Sequence, residues 1–210
     1  PEAADTLSNS LAILDNEPLL LALNVMIENG GKYSADKTRA LLEHPDPDVR
    51  VAAFGVVAKW GNSEHVPQLL NVLAEADEVT AKAMRKYVER MSAPEVDDAI
   101  ASLLEEENAA IREEAAESLK NRGAKRFARV LLGHVRDKDP HVRAEVLRAL
   151  AVLAEPEHLD ELLSLLVDST FTQDMDLLVD ATVAVAKRDK SKDPVNTIVN
   201  FFPQTRSIPI

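Results

Sequence analysis

Apolar residues recur along the chain at intervals of three and four, which is the periodicity of an amphipathic α-helix. The stretch 47–60 is one example, with apolar residues at Val49, Ala53, Val56, Val57 and Trp60. Asp46 precedes this stretch as a capping residue. Pro47 suits the first helical position, because proline has no backbone N–H and an N–H at this position would have no partner inside the helix. A shorter stretch, from about residue 64 to residue 74, has its own apolar face. The pattern predicts a pair of helices.

This pair recurs every 31 residues. The strings DPDVR, NAAIR and DPHVR begin at Asp46, Asn108 and Asp139, which are 62 and 31 residues apart. The same interval predicts a further member at Asp77, where the chain reads DEVTA. Independent columns keep this register, including Leu11, Leu42, Leu73, Leu104, Val135 and Leu166. The agreement predicts stacked helix pairs that share a continuous core, since neither helix can bury its apolar face alone.

The repeat register also predicts the domain organisation. After Leu166 the columns slip by four residues, which we interpret as a loop insertion near residues 169–172. We therefore expect an all-α, right-handed α-solenoid over residues 1–202, with residues 203–210 as a C-terminal tail or linker. It consists of a capping half-repeat at 1–14 and repeats that start near residues 15, 46, 77, 108, 139 and 174.

Composition and charge narrow the functional classes. The chain has no cysteine, which excludes a disulfide, a thiolate metal site and a cysteine nucleophile, and fits a cytoplasmic location. No apolar run approaches the roughly 20 residues of a membrane span, so no membrane insertion is expected. A net charge of −12 weighs against nucleic-acid binding. Because the chain begins at Pro1, we expect a domain of a larger protein; its oligomeric state is left open.

The repeat with D-P-x-V-R at its centre resembles the short HEAT repeats first grouped with phycobilisome lyases. The resemblance implies that the D-x-V-R helices line a concave binding surface, at about 16–29, 47–60, 78–91, 109–122, 140–153 and 173–188. It also implies a protein-interaction scaffold or regulatory domain. Arg50, Arg112 and Arg143 fill the arginine position of the motif, whereas Leu19 and Ala81 depart from it.

Outward positions of these helices form the candidate binding site for a protein partner or an acidic peptide. They are Arg50, Phe54, Lys82, Arg85, Lys86, Arg112, Arg143, Leu147 and Arg148. Two alternatives stay open. The motif arginines can pair with acids such as Asp46, Asp48 and Asp139, and the apolar Phe54 and Leu147 can be covered by a neighbouring helix.

No residue pattern indicates catalysis, a metal or a cofactor. The five histidines include no His-Glu dipeptide, and His65 and His158 occupy one repeat column 93 residues apart, too far to share a metal. Trp60 belongs to an inward column and is expected in the core, unlike the groove tryptophan of HEAT-like alkylpurine DNA glycosylases. The chain is therefore expected not to be an enzyme. The alternatives are a phycobilisome-type chromophore lyase subunit and nucleic-acid binding through the basic stripe.

Overall fold

The computed structural model describes residues 2–29, 31, 33–168 and 174–190, together with Asp193, Asn196 and Ile198. Within these residues the chain forms α-helices and short 3₁₀ turns and contains no strand, which confirms the all-α class. The predicted insertion near 169–172 and the tail 203–210 lie outside the described residues.

The chain divides into two compact units, Pro1–Ser118 and Leu119–Ile210. A single domain over 1–202 therefore stays a prediction. The helices of the first unit are α1 (Glu2–Ser10), α2 (Asn16–Glu28), α3 (Ala35–Thr38), α4 (Pro47–Trp60), α5 (Val66–Ala74), α6 (Glu78–Glu89) and α7 (Val96–Ser102). Helix α8 (Ala109–Asn121) contains the boundary. The second unit continues with α9 (Ala128–Gly133), α10 (Pro140–Leu153), α11 (Leu159–Val167) and α12 (Met175–Ala186).

The first helix of each repeat begins where the register predicts. Helices α2, α4, α6, α8 and α10 each start one residue after the Asp or Asn of the 31-residue column, and α12 starts after Asp174. The side chain of Asp77 accepts hydrogen bonds from the N–H groups of Val79 and Thr80, at 3.0 and 3.1 Å. Asp139 caps α10 in the same way. These side chains satisfy N–H groups that have no partner inside the helix.

In the first unit, α4 packs against α2 on one side and α6 on the other. This explains why eight residues of α4 are buried, namely Val49 and the continuous stretch 52–58. Small residues make up much of this stretch, which lets the neighbouring helices approach closely. The second helices, α3, α5 and α7, are shorter and each is continued or preceded by a 3₁₀ turn.

In the second unit, α10 packs against α9 and α12, and α11 packs against α12. Val146, Leu150 and Leu153 are completely buried on α10. Ala181 and Val185, which lie 35 residues after Val146 and Leu150, are also buried. The burial of α12 agrees with a four-residue slip, which stays a prediction. Within each unit, helix pairs stack in the manner of an α-solenoid.

Candidate functional site

The three motif arginines make one repeated contact, with the loop that precedes their own helix. Arg50 Nη1 donates to the carbonyls of His44 and Pro45, at 2.7 and 2.9 Å. Arg112 Nη1 donates to the backbone carbonyls of Glu106 and Glu107, also at 2.7 and 2.9 Å. These acceptors lie six and five residues before each arginine, so the guanidinium closes the turn into the helix.

Arg143 repeats this contact and adds an ion pair with the following repeat. Its Nη1 donates to the carbonyls of Asp137 and Lys138, and its Nε donates to Asp174 Oδ2 at 2.9 Å. Arg112 and Arg143 expose only 4% and 9% of their surface. The prediction that these arginines face outward for a partner is thus wrong for Arg112 and Arg143, and Arg50 is half-buried in the same structural contact.

The prediction that Phe54 and Leu147 point outward is also wrong. Both side chains are completely buried, Phe54 in α4 and Leu147 in α10. The periodicity of one helix identifies only its widest apolar face, whereas these helices are covered on more than one side by their neighbours. For Phe54 and Leu147, the structure supports the alternative that neighbouring helices cover them.

Arg85 is held inside the first unit by three carboxylates. Its Nε and Nη2 donate to the two carboxylate oxygens of Glu114, at 3.0 and 2.6 Å, and Glu117 and Glu78 lie at 3.1 and 3.2 Å. The hydrogen bonds that Arg85 donates to Glu114 raise the pKa of Arg85 above its usual range. A guanidinium with both edges occupied has little capacity left for a partner.

Arg148 differs from Arg85 because it remains half-exposed while pairing with a buried acid. Its Nη1 lies 3.1 Å from Glu145 Oε2, and the other oxygen of Glu145 accepts from Lys120. The Arg148 side chain is 52% exposed, whereas that of Glu145 is 8% exposed. Arg148 therefore contributes first to neutralising Glu145.

Lys82 and Lys86 are the predicted site residues that remain available. They lie one helical turn apart on α6, both exposed, and neither has an ion pair or hydrogen bond with any described residue. Arg90, at the C-terminal end of α6, is exposed and without a side-chain partner in the same part of the chain. We call Lys82, Lys86 and Arg90 the α6 stripe.

Two cavities of the first unit lie near opposite ends of α6. The larger, about 640 Å³, is lined by Glu43, Glu75 and Asp77 near the start of the helix. These three carboxylates make the cavity acidic, and hydrogen bonds from Thr80 lower the pKa of Asp77. The second, about 470 Å³, is lined by Trp60, Tyr87 and Arg90 near its end. Trp60 is half-buried, so the prediction that it lies in the core is wrong. The sequence carried one signal for this cavity, because the aromatic Tyr87 stands in a repeat column of smaller residues.

The two aligned histidines have a capping function. Nδ1 of His65 accepts the N–H of Asn62 at 3.2 Å, and Nδ1 of His158 accepts the N–H of Glu155 at 3.1 Å. Both rings are buried at the start of a second helix. Among the described residues, no three acids or histidines are grouped as metal ligands. No helix in that part of the chain is long and apolar enough to cross a membrane.

One comparison with known proteins, that with family models, identifies the helical repeat. The chain matches the family model of HEAT repeats over residues 35–120 and again over residues 96–173. Comparison with curated proteins gives no significant match. Among solved structures, the chain is similar to an engineered protein from the Northeast Structural Genomics Consortium, at 20% identity over 88% of this chain and 97% of that chain, with a TM-score of 0.42. Because the family model covers more than half of the sequence and coincides with the helix pairs, the chain belongs to the HEAT-repeat family.

Proposed function

We propose that the chain is a non-catalytic interaction module that binds an acidic protein segment through the α6 stripe. HEAT repeats generally mediate protein–protein interactions, and their proteins are typically scaffolds without enzymatic activity. The identity of the segment and its use of the α6 stripe are our proposal. That the first helices line a concave groove stays a prediction.

The observation that carries this proposal is the exposure of Lys82 and Lys86 without a described partner. The whole chain has a net charge of −12, so an unneutralised pair of lysines stands out against its surroundings. Local positive charge can attract an acidic partner even when the protein as a whole is negative. The other basic residues of the predicted site are already engaged, Arg85 and Arg148 with carboxylates and the motif arginines with carbonyls.

Lys82 differs from basic residues at helix ends in its interaction with the helix macrodipole. A cation at a C-terminus stabilises its own helix, which gives Arg90 a structural function as well. Lys82 is the fifth residue of α6, which begins at Glu78, so it lies too far from the C-terminus for this effect. Lys86 lies in the last turn of α6, so Lys82 gives the strongest support for partner binding.

The proposal is tested by selecting peptides from a random twelve-residue phage library with the full chain. We expect enrichment of Asp and Glu, and affinities about tenfold weaker for Lys82→Glu/Lys86→Glu, since two attractive ion pairs become repulsive. The matched control is Lys138→Glu/Lys187→Glu, which makes the same charge change at two exposed lysines of the second unit. Peptides without excess acid, or equal binding to both double variants, would refute the α6 stripe.

The two alternative functions have their own measurements. Transfer of a bilin to an acceptor protein would be needed for a chromophore lyase subunit, which stays a prediction without a supporting contact in the structure. Nucleic-acid binding requires retention of single-stranded DNA or RNA at low salt with a steep salt dependence. Neither is expected.

A further inference from the structure

An aromatic cavity adjoins the α6 stripe at the C-terminal ends of three stacked helices. Its volume is about 470 Å³, and its lining includes Ile27 of α2, Trp60 of α4, and Tyr87 and Arg90 of α6. Ligand pockets in proteins range from about 300 to 1,000 Å³. Arg90 belongs to both the cavity and the stripe, so the two features form one continuous surface of the first unit.

Gly55 of α4 makes room for Tyr87, which forms one wall of the cavity. A Cβ at Gly55 would lie 2.8 Å from Cζ of Tyr87 and 2.8 Å from Cδ1 of Ile27, which is closer than side chains approach. Tyr87 stands in a repeat column otherwise filled by smaller residues, namely Val25, Val56, Ser118 and Ala149. The missing side chain of Gly55 therefore gives the tyrosine ring its place against α4.

The walls of the cavity are held in position before any partner binds. Trp60 Nε1 donates to the carbonyl of Met26 at 2.9 Å, and the ring of Tyr33 meets Trp60 edge-on, with ring centres 5.7 Å apart. Lys59 donates to the carbonyl of Ile27 and places its ammonium 4.8 Å from the Trp60 ring centre. A cavity with fixed walls binds a side chain without the entropic cost of ordering those walls.

We propose that this cavity receives one large apolar side chain of the acidic segment that the α6 stripe binds. The inference rests on the proposed function and adds the chemistry of the anchor. Ile27, Trp60 and Tyr87 supply apolar surface, while Lys59 and Arg90 place positive charge in the lining. The surface therefore complements a leucine- or phenylalanine-type residue flanked by carboxylates.

The test uses the peptides recovered from the twelve-residue library and Trp60 as the reporter, since it is the single tryptophan of the chain. We expect one large apolar residue at a fixed position between acids, and a change in Trp60 emission on binding. Replacing that peptide residue by asparagine should weaken binding about tenfold or more, because an anchor side chain then leaves its pocket. Ser92→Tyr, which fills the cavity from an exposed lining position, should remove the same tenfold preference.

Two protein variants and one competing ligand complete the design. Tyr87→Ala removes a wall and should also remove the preference, and Ser92→Tyr keeps the test valid if Tyr87→Ala fails to fold. Acidic peptides without a fixed apolar position, or an unchanged preference in Ser92→Tyr, would overturn the cavity assignment while leaving the α6 stripe intact. If the selected peptides are not enriched in Asp and Glu, the proposal that the α6 stripe binds an acidic segment is itself refuted. Tighter binding of oligo(dT) than of any peptide, with Trp60 quenching, would overturn the peptide anchor.

Discussion

The ion pair between Arg85 and Glu114 stands at positions where other repeats of the first unit have apolar residues. At intervals of 31 residues, Arg85 aligns with Phe54, Ala116 and Leu147. Glu114 aligns with Ala52 and Ala83 before it and with Glu145 after it. The fold therefore accommodates apolar contact at both positions. We predict that Arg85→Leu and Glu114→Ala each destabilise the first unit, and that the double variant regains most of the lost stability.

The contacts of the pair set the magnitude. The two side chains expose only 16% and 10% of their surface, and their closest atoms are 2.6 Å apart. Removing one member of a fully buried pair costs about 3–5 kcal/mol, because the other charge loses its partner. The residual exposure, and the continued presence of Glu117 and Glu78 beside Arg85, lower the expected loss for Glu114→Ala to about 2–3 kcal/mol. The double variant should come within about 1 kcal/mol of the wild type, since apolar packing replaces the pair.

Urea unfolding followed by Trp60 fluorescence measures this effect in the unit where the pair lies. With a slope of about 1–3 kcal/mol per molar urea, a loss of about 2–3 kcal/mol moves the midpoint down by roughly 1–2 M. Arg39→Ala is the control in the same unit, because its largely exposed pair with Asp36 should contribute less than about 1 kcal/mol.

The double-mutant cycle gives a clear refutation. If Arg85→Leu/Glu114→Ala unfolds at a urea concentration equal to or below that of Glu114→Ala alone, apolar packing does not replace the ion pair. The repeat columns would then be a poor guide to what each position accommodates.

Two further predictions concern a helix cap and a pair of glycines. Hydrogen bonds from Thr80 lower the pKa of Asp77, so its carboxylate stabilises the fold above its unfolded pKa and loses this effect as the pH falls through the lower folded pKa. The thermal midpoints of the wild type and Asp77→Ala should therefore differ at neutral pH and converge as the pH falls below about 4, and a constant difference would contradict the assignment. Gly133→Ala should stabilise by about 0.5–1 kcal/mol, since its Cβ meets nothing within 4 Å, whereas Gly123→Ala should destabilise by about 1–2 kcal/mol because φ is +66°. Circular dichroism in urea measures both, and midpoints that move in the same direction would contradict the prediction.

The sequence predicted the secondary structure well because the helix signals are local. A capping residue, a proline at the first helical position and a 3.6-residue apolar periodicity all lie within one helix. The starts of α4, α6 and α10 were therefore predicted to the residue. Leu42, Leu73 and Leu104, which share one repeat column, are also buried as predicted.

The candidate site was predicted less well, because outward positions depend on neighbours in space. Phe54 and Leu147 lie outside the main apolar face of their own helices, yet adjacent helices cover them. The arginines of the motif carry the same charge as Lys82, and only the structure shows that carbonyls five and six residues earlier already accept from them. Residue type alone cannot distinguish an engaged cation from an available one.

By itself, the sequence determined the helices, the 31-residue register and the column to which each residue belongs, because these follow from spacing along one chain. The tertiary structure decided which columns are enclosed, since enclosure requires a second helix on the far side. It also decided that Gly55 makes room for Tyr87, because that relation joins residues 32 positions apart and one repeat away. The binding surface we propose arises from such contacts between repeats.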